Sequence, residues 1–443
     1  MTDSTQTAGV VRRSTRELSK AAVSGWLGTA MEFMDFQLYS LAAAIVFNKI
    51  FFPDVSPAIG LIAAMATYGV GYVARLVGAF YFGRMGDRIG RKKVLFLTIT
   101  IMGASTTLIG VLPPYQTIGI AAPILLVALR LVQGFGAGAE IAGATVMLVE
   151  YAPVKRRGLI SSLVSLGTNS GTLAASGLWA LLLLVLSEEQ VIAWGWRLPF
   201  LLSFVLLLFG VWMRSNLKES PVFEESKDVV PEKKSAIETG LKQRKGRAFL
   251  LSLGLRFGQA GNSGLVQTFL VGYIASSLAI NRSVPTNAIV YGSLLGFATI
   301  PLVGLLGDRF GRRPVYLGLS LLTAIIAVPM MATIASGNTV LLTIAMVLGL
   351  NIGVLGLFAV ESVTMAELFG SRTRFTQLAV AKEIGGTLAT AIGPVMAASL
   401  TAWTQHWWPI AAMLIVYSLI TFVSTWVAPE TRGRDLVGPE DAL

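Results

Sequence analysis

Long apolar runs separated by short polar loops occupy most of the chain between residues 21 and 428. A helix needs roughly 20 mostly apolar residues to cross the hydrocarbon core of a bilayer, and these runs reach that length. The pattern predicts an all-α integral membrane protein with twelve transmembrane helices. The predicted spans are 21–47, 58–82, 94–113, 118–149, 158–186, 192–213, 248–277, 286–306, 315–335, 338–366, 375–402 and 407–428.

One long polar stretch interrupts this pattern after the sixth span. Acidic and basic side chains are spread along it, which predicts a solvated cytoplasmic linker between two six-helix bundles. The predicted organisation is a cytoplasmic tail 1–20, an N-terminal bundle 21–213, the linker 214–247, a C-terminal bundle 248–428 and a second cytoplasmic tail 429–443.

The composition supports a membrane environment. Hydrophobic residues make up 54% of the chain and charged residues only 13%, against about 25% charged residues in soluble domains. The chain has no cysteine, which excludes disulfides, thiol nucleophiles and thiolate metal sites. About twenty mostly polar residues precede the first apolar run, so the N-terminus does not resemble a cleavable signal peptide. We expect no metal site.

The positions of the 35 Lys and Arg residues predict the orientation. If both termini are cytoplasmic, 28 of these residues lie in cytoplasmic segments, and only Lys49, Arg197 and Arg282 lie outside. This asymmetry matches the positive-inside rule and predicts cytoplasmic termini and a cell-membrane location. It also accounts for the net charge of +11 without nucleic-acid binding.

Three short segments recur in the two halves in the same order. Gly83-Arg-Met-Gly-Asp87-Arg88-Ile-Gly90-Arg91-Lys92 matches Gly304-Leu-Leu-Gly-Asp308-Arg309-Phe-Gly311-Arg312-Arg313. Glu150 to Arg157 matches Glu367 to Arg374, and Gly171-Thr-Leu-Ala matches Gly386-Thr-Leu-Ala. The chain is therefore predicted to contain two homologous halves, an arrangement known among secondary transporters.

The repeated Asp-Arg-x-Gly-Arg loop resembles the signature loop of the major facilitator superfamily. Further segments resemble one branch, the metabolite–proton symporters, and within it the shikimate or organic-acid type. These segments are Glu32-Phe-Met-Asp35-Phe36, Arg130-Leu-Val-Gln133-Gly134 with Glu140, Trp194 to Phe200, Glu219-Ser-Pro-Val-Phe223 and Pro429-Glu-Thr-Arg-Gly433. The sequence departs from the branch at Phe33-Met34, Ile141 and Lys382-Glu383, so the resemblance does not carry over a substrate.

The resemblance implies a cytoplasmic gate built from the repeated motifs. Asp87 and Asp308 are expected to pair with neighbouring helix ends and hold this gate shut. We expect the charges of Arg91 and Lys92 mainly to set the topology. The full set of predicted gating positions is Gly83, Asp87, Arg88, Gly90, Arg91, Glu150, Arg157, Asp308, Arg309, Gly311, Arg312, Glu367 and Arg374.

Nine ionisable residues lie in the interior of the predicted spans, apart from Arg197 near the outer end of the sixth. Each costs roughly 2.5–3.5 kcal/mol to insert, so each should face protein or a water-filled cavity. They either pair with one another to hold helices together or take part in transport, and the sequence leaves both readings open. They are Glu32, Asp35, Arg75, Arg130, Glu140, Arg256, Glu361, Lys382 and Glu383.

Glu32 and Asp35 are the first candidates for proton coupling. They are three residues apart, so they share a helix face near the bilayer midplane. Two close carboxyl groups in a low-dielectric cavity do not both ionise cheaply, so one is expected to carry a proton. Arg130 is the expected counter-ion or substrate ligand, and Glu140 is a further coupling candidate.

Substrate contacts are predicted among the remaining buried polar residues. They are Arg130, Arg75, Arg256, Gln259, Lys382 and Glu383. Arg can bind a carboxylate through two parallel hydrogen bonds. The neighbours Lys382 and Glu383 form either an internal pair or a substrate contact.

These features predict proton-coupled symport of a small organic acid by alternating access. The expected partners are a carboxylate substrate, protons and lipid, and a monomer is expected to suffice. No cofactor is expected beyond the proton gradient, since no Walker A sequence is present. The alternatives are symport of zwitterionic osmolytes such as proline or betaine, proton-coupled antiport, and a membrane-embedded enzyme.

The alternatives fit the sequence less well. Osmosensing members of the branch resemble one another in a long coiled-coil tail, whereas this sequence continues only about 15 residues after the last span. Drug antiporters resemble one another in a Gly–Pro motif on helix 5, and 158–186 has no Pro. An enzyme would need a nucleophile–base set or a metal cluster, and the twofold repeat would stay unexplained.

Overall fold

The structure is a computed structural model that describes residues 15–53, 57–227, 237–281 and 283–443. Regular secondary structure within these ranges is entirely helical, with twelve long helices. They are α1 (Thr15–Ala42, continuing through Ala43–Phe47 and Asn48–Phe51), α2 (Pro57–Ile89), α3 (Arg91–Val111), α4 (Ala121–Ala137 and Glu140–Tyr151), α5 (Arg157–Val185), α6 (Arg197–Ser215), α7 (Ile237–Ser263, Gly264–Phe269 and Leu270–Ser277), α8 (Ser283–Phe310), α9 (Arg312–Ala335), α10 (Thr339–Leu350, Asn351–Gly356 and Leu357–Leu368), α11 (Arg374–Thr404) and α12 (Trp408–Val427).

Four of these helices are irregular near their middle or far end. Turns of π-helix occur in α1, α7 and α10, at Ala43–Phe47, Gly264–Phe269 and Asn351–Gly356. In α4 the helix is interrupted between Ala137 and Glu140. Such irregular turns free backbone groups and are frequent at functional sites. The N-terminal half contributes α1 and α4, and the C-terminal half contributes α7 and α10, in keeping with the repeat.

Nine helices in the described ranges are long and apolar enough to cross a membrane, and α1, α2 and α7 are the remaining long helices. Each of these three carries charge within its membrane stretch: Glu32 and Asp35 in α1, Arg75 in α2 and Arg256 in α7. Large apolar side chains such as Leu184, Val205 and Ile325 are exposed on the outer surface, as a lipid-facing protein requires.

The polar segment after α6 is more ordered than a solvated linker. A short helix covers Pro221–Lys227, and α7 begins at Ile237, eleven residues before the predicted span. Likewise α1 begins at Thr15, six residues before its predicted span. The rest of the predicted linker, 228–236, and residues 1–14 of the predicted N-terminal tail lie outside the described residues.

The two bundles contact each other through α2 with α11, and through α5 with α8 and α10. The short loops of the repeated motifs lie at one end of the structure. We call this end the basic side, defined by residues 84–93, 155–157, 309–313 and 372–374, and the opposite end the far side.

Candidate functional site

Asp87, at the basic end of α2, binds the first turn of α11 in the opposite bundle. Its carboxylate accepts backbone N–H hydrogen bonds from Phe375 (3.2 Å) and Thr376 (2.9 Å), and a third from the Thr376 hydroxyl (2.6 Å). The first N–H groups of a helix have no partner within the helix and attract negative charge. Asp87 therefore joins the two bundles.

Asp308 makes the equivalent contact from the C-terminal bundle. Its two carboxylate oxygens accept the backbone N–H groups of Gly158 and Leu159, the first turn of α5, each at 2.8 Å. No side chain is tolerated at Gly158, because a Cβ there would meet the backbone of Gly304. The helices therefore approach closely enough for the carboxylate to reach α5.

A buried glutamate lies behind Asp87 and binds an arginine from each bundle. Glu150 on α4 contacts Arg91 of its own bundle at 3.3 Å and Arg374 of the opposite bundle at 2.8 Å. All three side chains are at most 1% exposed. Separating the bundles here would leave buried charges without a partner, which is strongly unfavourable.

The same arrangement recurs around Glu367 on α10. Its carboxylate contacts Arg312 of its own bundle at 3.2 Å and Arg157 of the opposite bundle at 3.9 Å. The basic side is thus closed by two copies of one network.

Each network contains a further acid, and the sequence repeats described above did not identify these two acids as equivalent positions. Glu219, just after α6, accepts the backbone N–H of Arg91 at 2.9 Å, and Glu430, just after α12, accepts that of Arg312 at 2.9 Å. Both carboxylates lie against glycines with a φ of 107°, Gly90 and Gly311, where a Cβ would collide with the carboxylate.

The residues that follow these two acids complete the match. The Ser220 hydroxyl donates to Glu150, and the Thr431 hydroxyl donates to Glu367 at 2.8 Å. The sequence does contain a similar dipeptide after the sixth and the twelfth span, Glu219-Ser220 and Glu430-Thr431. These dipeptides are short and their flanking residues differ, so the sequence alone did not show that they are equivalent.

The motif arginines divide into two kinds. Arg88 and Arg309 are exposed, as charges that only set topology would be. Arg91 is fully buried and ion-paired, unlike our expectation for it, whereas Lys92 lies near the surface and donates to the Ser215 carbonyl at 2.9 Å. Gly83 allows α2 to approach the backbone of Thr376.

The segment 434–443 lies across the basic side and contacts both bundles. The carbonyl oxygens of Arg434 and Leu436 accept hydrogen bonds from Arg157 of α5 (2.5 Å) and Arg374 of α11 (2.9 Å). The Leu436 side chain is only 1% exposed. Further hydrogen bonds join the Ser371 N–H to the Gly438 carbonyl, the Ser371 hydroxyl to the Val437 carbonyl, the Gly370 N–H to Asp441, and the Ala442 N–H to the Leu368 carbonyl.

Deeper in the N-terminal bundle, Asp35 is buried among hydroxyl groups. Thr106 on α3 donates to it at 2.7 Å and Ser203 on α6 donates at 3.1 Å. Asp35 is 2% exposed and takes part in none of the ion pairs found among the described residues.

Arg130 is connected to Asp35 through two intervening side chains. Its Nη1 donates to Gln133 at 2.5 Å, and the Gln133 amide donates to Thr106 at 2.7 Å. The guanidinium also lies over the rings of Phe36 (4.2 Å) and Tyr39 (4.3 Å). Arg130 was predicted as a counter-ion of a coupling acid or a substrate ligand. The structure shows no ion pair between Arg130 and Asp35, and connects them through Thr106 and Gln133.

Glu32 belongs to a different group of charges. Arg75 binds it at 2.6 Å and also binds Glu383 of α11 through two hydrogen bonds of 2.8 Å each. Arg75 therefore links two carboxylates from opposite bundles near the middle of the structure.

Glu140 pairs with Arg214, a residue that we had assigned to the linker. Arg214 lies within α6, is 1% exposed, and binds both oxygens of Glu140, which also accepts from Thr98 at 2.8 Å. The sequence contained one indication of this buried arginine. The interior of the predicted spans held five acids and four bases, and Arg214 supplies the fifth base.

The C-terminal bundle holds the last group. Glu361 Oε1 lies 3.4 Å from Arg256 and 3.3 Å from Lys382, and Arg256 also donates to Gln259 at 2.6 Å. The neighbours Lys382 and Glu383 therefore face different partners, instead of pairing with each other. Among the described residues no group of three or more His, Cys, Asp or Glu side chains is arranged to hold a metal ion.

Two family sequence models together match residues 25–441 of this chain. The sequence model of the Major Facilitator Superfamily matches residues 25–269, and that of the family described as "Sugar (and other) transporter" matches 224–441. YdfJ of Escherichia coli K12, named as a transporter without a substrate, is 55% identical over 92% of this chain and 96% of its own. The shikimate transporter of the same organism is 35% identical over 93% and 95%.

A solved structure shows the same fold. The proton:xylose symporter XylE, bound to 6-bromo-6-deoxy-D-glucose, superposes with a TM-score of 0.75 over 96% of this chain and 98% of its own. The two sequences are 16% identical, so this likeness bears on the fold alone.

Proposed function

Because the chain belongs to the major facilitator superfamily, we propose that it is a proton-coupled symporter that takes up a small organic acid. Its homologues are transporters, and this function needs no cofactor or metal beyond the proton gradient. We further propose that the basic side faces the cytoplasm, so that both termini lie inside the inner membrane. We also propose that a monomer suffices for transport.

The environment of Asp35 carries the proposal. An ionised carboxylate that is buried without a cation partner is costly, and hydroxyl groups compensate it only in part. Glu140 has such a partner in Arg214, and Glu32 and Glu383 have one in Arg75. Among the acids Glu32, Asp35, Glu140 and Glu383, Asp35 is therefore the one best placed to exchange a proton when the site opens.

The relay through Thr106 and Gln133 supplies the coupling. Protonation of Asp35 removes the charge that Thr106 compensates, which releases this hydroxyl and changes the hydrogen bonds offered to Gln133 and Arg130. Proton binding and substrate binding then affect each other equally, as linkage requires. The two gate networks close the basic side. In such a state, substrate and proton would enter from the far side.

Uptake into proteoliposomes with an imposed pH gradient tests this function. Radiolabelled shikimate, 2-oxoglutarate and citrate are compared with proline and betaine. In the wild type, one of the acids should accumulate against its gradient. Asp35→Asn should abolish uphill accumulation and retain exchange of substrate across the membrane. Accumulation of proline or betaine alone would favour the osmolyte function, and an unchanged pH dependence in Asp35→Asn would contradict the role of Asp35.

Reporter fusions test the orientation. Fusions within 214–247 and at the C-terminus should both report the cytoplasm, and a periplasmic signal from either would contradict the proposed orientation.

A further inference from the structure

We propose that the substrate's carboxylate binds the Nε–Nη2 edge of Arg256, beside Gly386, with Lys382 providing a second positive charge. This assignment rests on the proposed uptake of an organic acid. It identifies the group that binds the substrate's carboxylate, here called the anchor, and the class of acid that it binds. The anchor belongs entirely to the C-terminal bundle, whereas the proton site belongs to the N-terminal bundle.

The hydrogen bonds of Arg256 leave one edge of its guanidinium available. Its Nη1 is engaged by Gln259 and Glu361, whereas its Nε is buried and makes no hydrogen bond in the described part of the chain. A carboxylate fits the two parallel N–H groups of such an edge. The side chain is 17% exposed, compared with 6% for Arg75 and 4% for Lys382, so Arg256 is the most accessible of these three buried bases.

The charges around Arg256 are unequal. Arg256 and Lys382 share the single carboxylate Glu361, and both approach its Oε1, while Oε2 has no hydrogen-bond partner among the described residues. By contrast Arg75 has two carboxylates and Arg214 has one. Within the Glu361 group one positive charge therefore exceeds the carboxylates, and the extra carboxylate of the buried set lies with Arg75. Binding an anion beside Arg256 would compensate that charge locally.

Gly386 lies directly against this edge of Arg256, and its lack of a side chain keeps the edge from being crowded further. A Cβ at this position would lie 3.1 Å from Nε and 3.2 Å from Nη2 of Arg256. The repeat counterpart, Gly171, serves a different purpose, because a Cβ there would collide with the backbone of Ala30 on α1. The glycine that lets two helices pack in the N-terminal bundle therefore faces a guanidinium in the C-terminal bundle.

The surroundings indicate a monocarboxylic acid with an apolar or ring-shaped body. One locally uncompensated positive charge matches one carboxylate. The Phe358 ring lies 5.3 Å from the Arg256 guanidinium and 4.8 Å from the Lys382 ammonium, which places an apolar wall beside the anchor.

Ligand-induced thermal stabilisation of the purified full-length protein tests the anchor, because a bound ligand raises the melting temperature by mass action. The probes are benzoate, cyclohexanecarboxylate and shikimate, with benzamide as the neutral counterpart and citrate as the tricarboxylate. At least one monocarboxylate should stabilise the wild type, and benzamide and citrate should not. Arg256→Gln should weaken that binding on the order of 10- to 100-fold, as loss of a charged hydrogen bond predicts.

Three further variants separate loss of the anchor from loss of folding. Gly386→Ala should weaken binding by filling the space beside Nε, and Arg256→Lys should bind with intermediate affinity. Arg247→Gln is the matched control, because Arg247 is exposed on the same helix and its loss removes an equal charge. It should bind like the wild type.

The anchor is wrong if Arg256→Gln and Gly386→Ala bind the monocarboxylate as tightly as Arg247→Gln does. It is also wrong if no carboxylate stabilises the wild type. Binding in detergent needs no proton gradient, so this result is independent of the uptake experiment. Failure of proton coupling with intact Arg256-dependent binding would overturn the proposed symport and leave the anchor standing.

Discussion

Asp87 and Asp308 hold equivalent positions in the two halves, and each accepts two backbone N–H groups from the first turn of a helix in the opposite bundle. The two contacts differ in one respect. Asp308 is bound by its own arginine, Arg312, at 2.8 Å, whereas Arg91 lies 3.7 Å from Asp87. Asp87 depends correspondingly more on α11, and in particular on the Thr376 hydroxyl.

We expect Asp87→Asn to reduce uptake strongly with nearly normal expression. The amide has no charge, and its NH2 group replaces one of the two oxygens that accept from the N–H groups of α11, so the contact weakens and the closed basic side loses stability. Initial uptake rates, normalised to the amount of protein in the membrane, provide the measurement. Thr376→Val should give a smaller loss of the same kind. Wild-type rates in Asp87→Asn would restrict the loop to setting topology.

Glu150→Gln should destabilise the closed protein substantially. The substitution removes the carboxylate that both Arg91 and Arg374 contact and leaves Asp87, near Arg91, as the remaining one. Breaking a buried ion pair costs about 3–5 kcal/mol. The melting temperature in detergent measures the effect. Glu188→Gln is the control: Glu188 pairs with Lys49 on the far side but is 76% exposed, so its loss should matter little. Equal melting temperatures for the two variants would contradict a structural role of Glu150.

Thr106→Val should uncouple transport from the proton gradient. Valine has nearly the same shape but removes the donor to Asp35 and the acceptor for Gln133. Loss of a hydrogen bond to a charged group costs about 1.5–3 kcal/mol, so the accumulation ratio should fall at least tenfold. The neighbour Thr107, whose hydroxyl donates to the Gly103 carbonyl of its own helix, is the matched control. If Thr107→Val behaves identically, the relay is not the coupling path.

Removing residues 434–443 should make the basic side open more often, because this segment binds Arg157 and Arg374 from opposite bundles. The chain has no cysteine, so Ser162→Cys introduces its only thiol. Ser162 is fully buried, one turn after Gly158 on α5. The shortened protein should react with a maleimide several-fold faster than the full-length Ser162→Cys protein.

Leu436→Asp in the full-length chain should accelerate labelling in the same way, since it places a carboxylate in an apolar contact. Equal labelling rates in all three proteins would show that the segment does not hold the basic side closed.

The sequence by itself determined the architecture of this protein. Hydropathy and the distribution of Lys and Arg are properties of whole segments, and the bilayer selects helices from any apolar run of sufficient length. The twelve helices, the two halves and the family therefore follow from the order of residues. The resemblance of its loop to the family signature implied that Asp87 pairs with a neighbouring helix end, and the structure shows that this end belongs to α11 of the opposite bundle.

The partners of the buried charges were decided by the tertiary structure. Spacing along one helix shows that Glu32 and Asp35 share a face, but neighbours on other helices place Glu32 with Arg75 and leave Asp35 to hydroxyl groups. Arg214 and Glu219 were assigned to a solvated linker because they follow an apolar run. Packing buries Arg214 against Glu140 and uses Glu219 to cap α3. A buried charge is stabilised by whichever groups surround it, and which groups these are depends on how each helix rotates and crosses its neighbours.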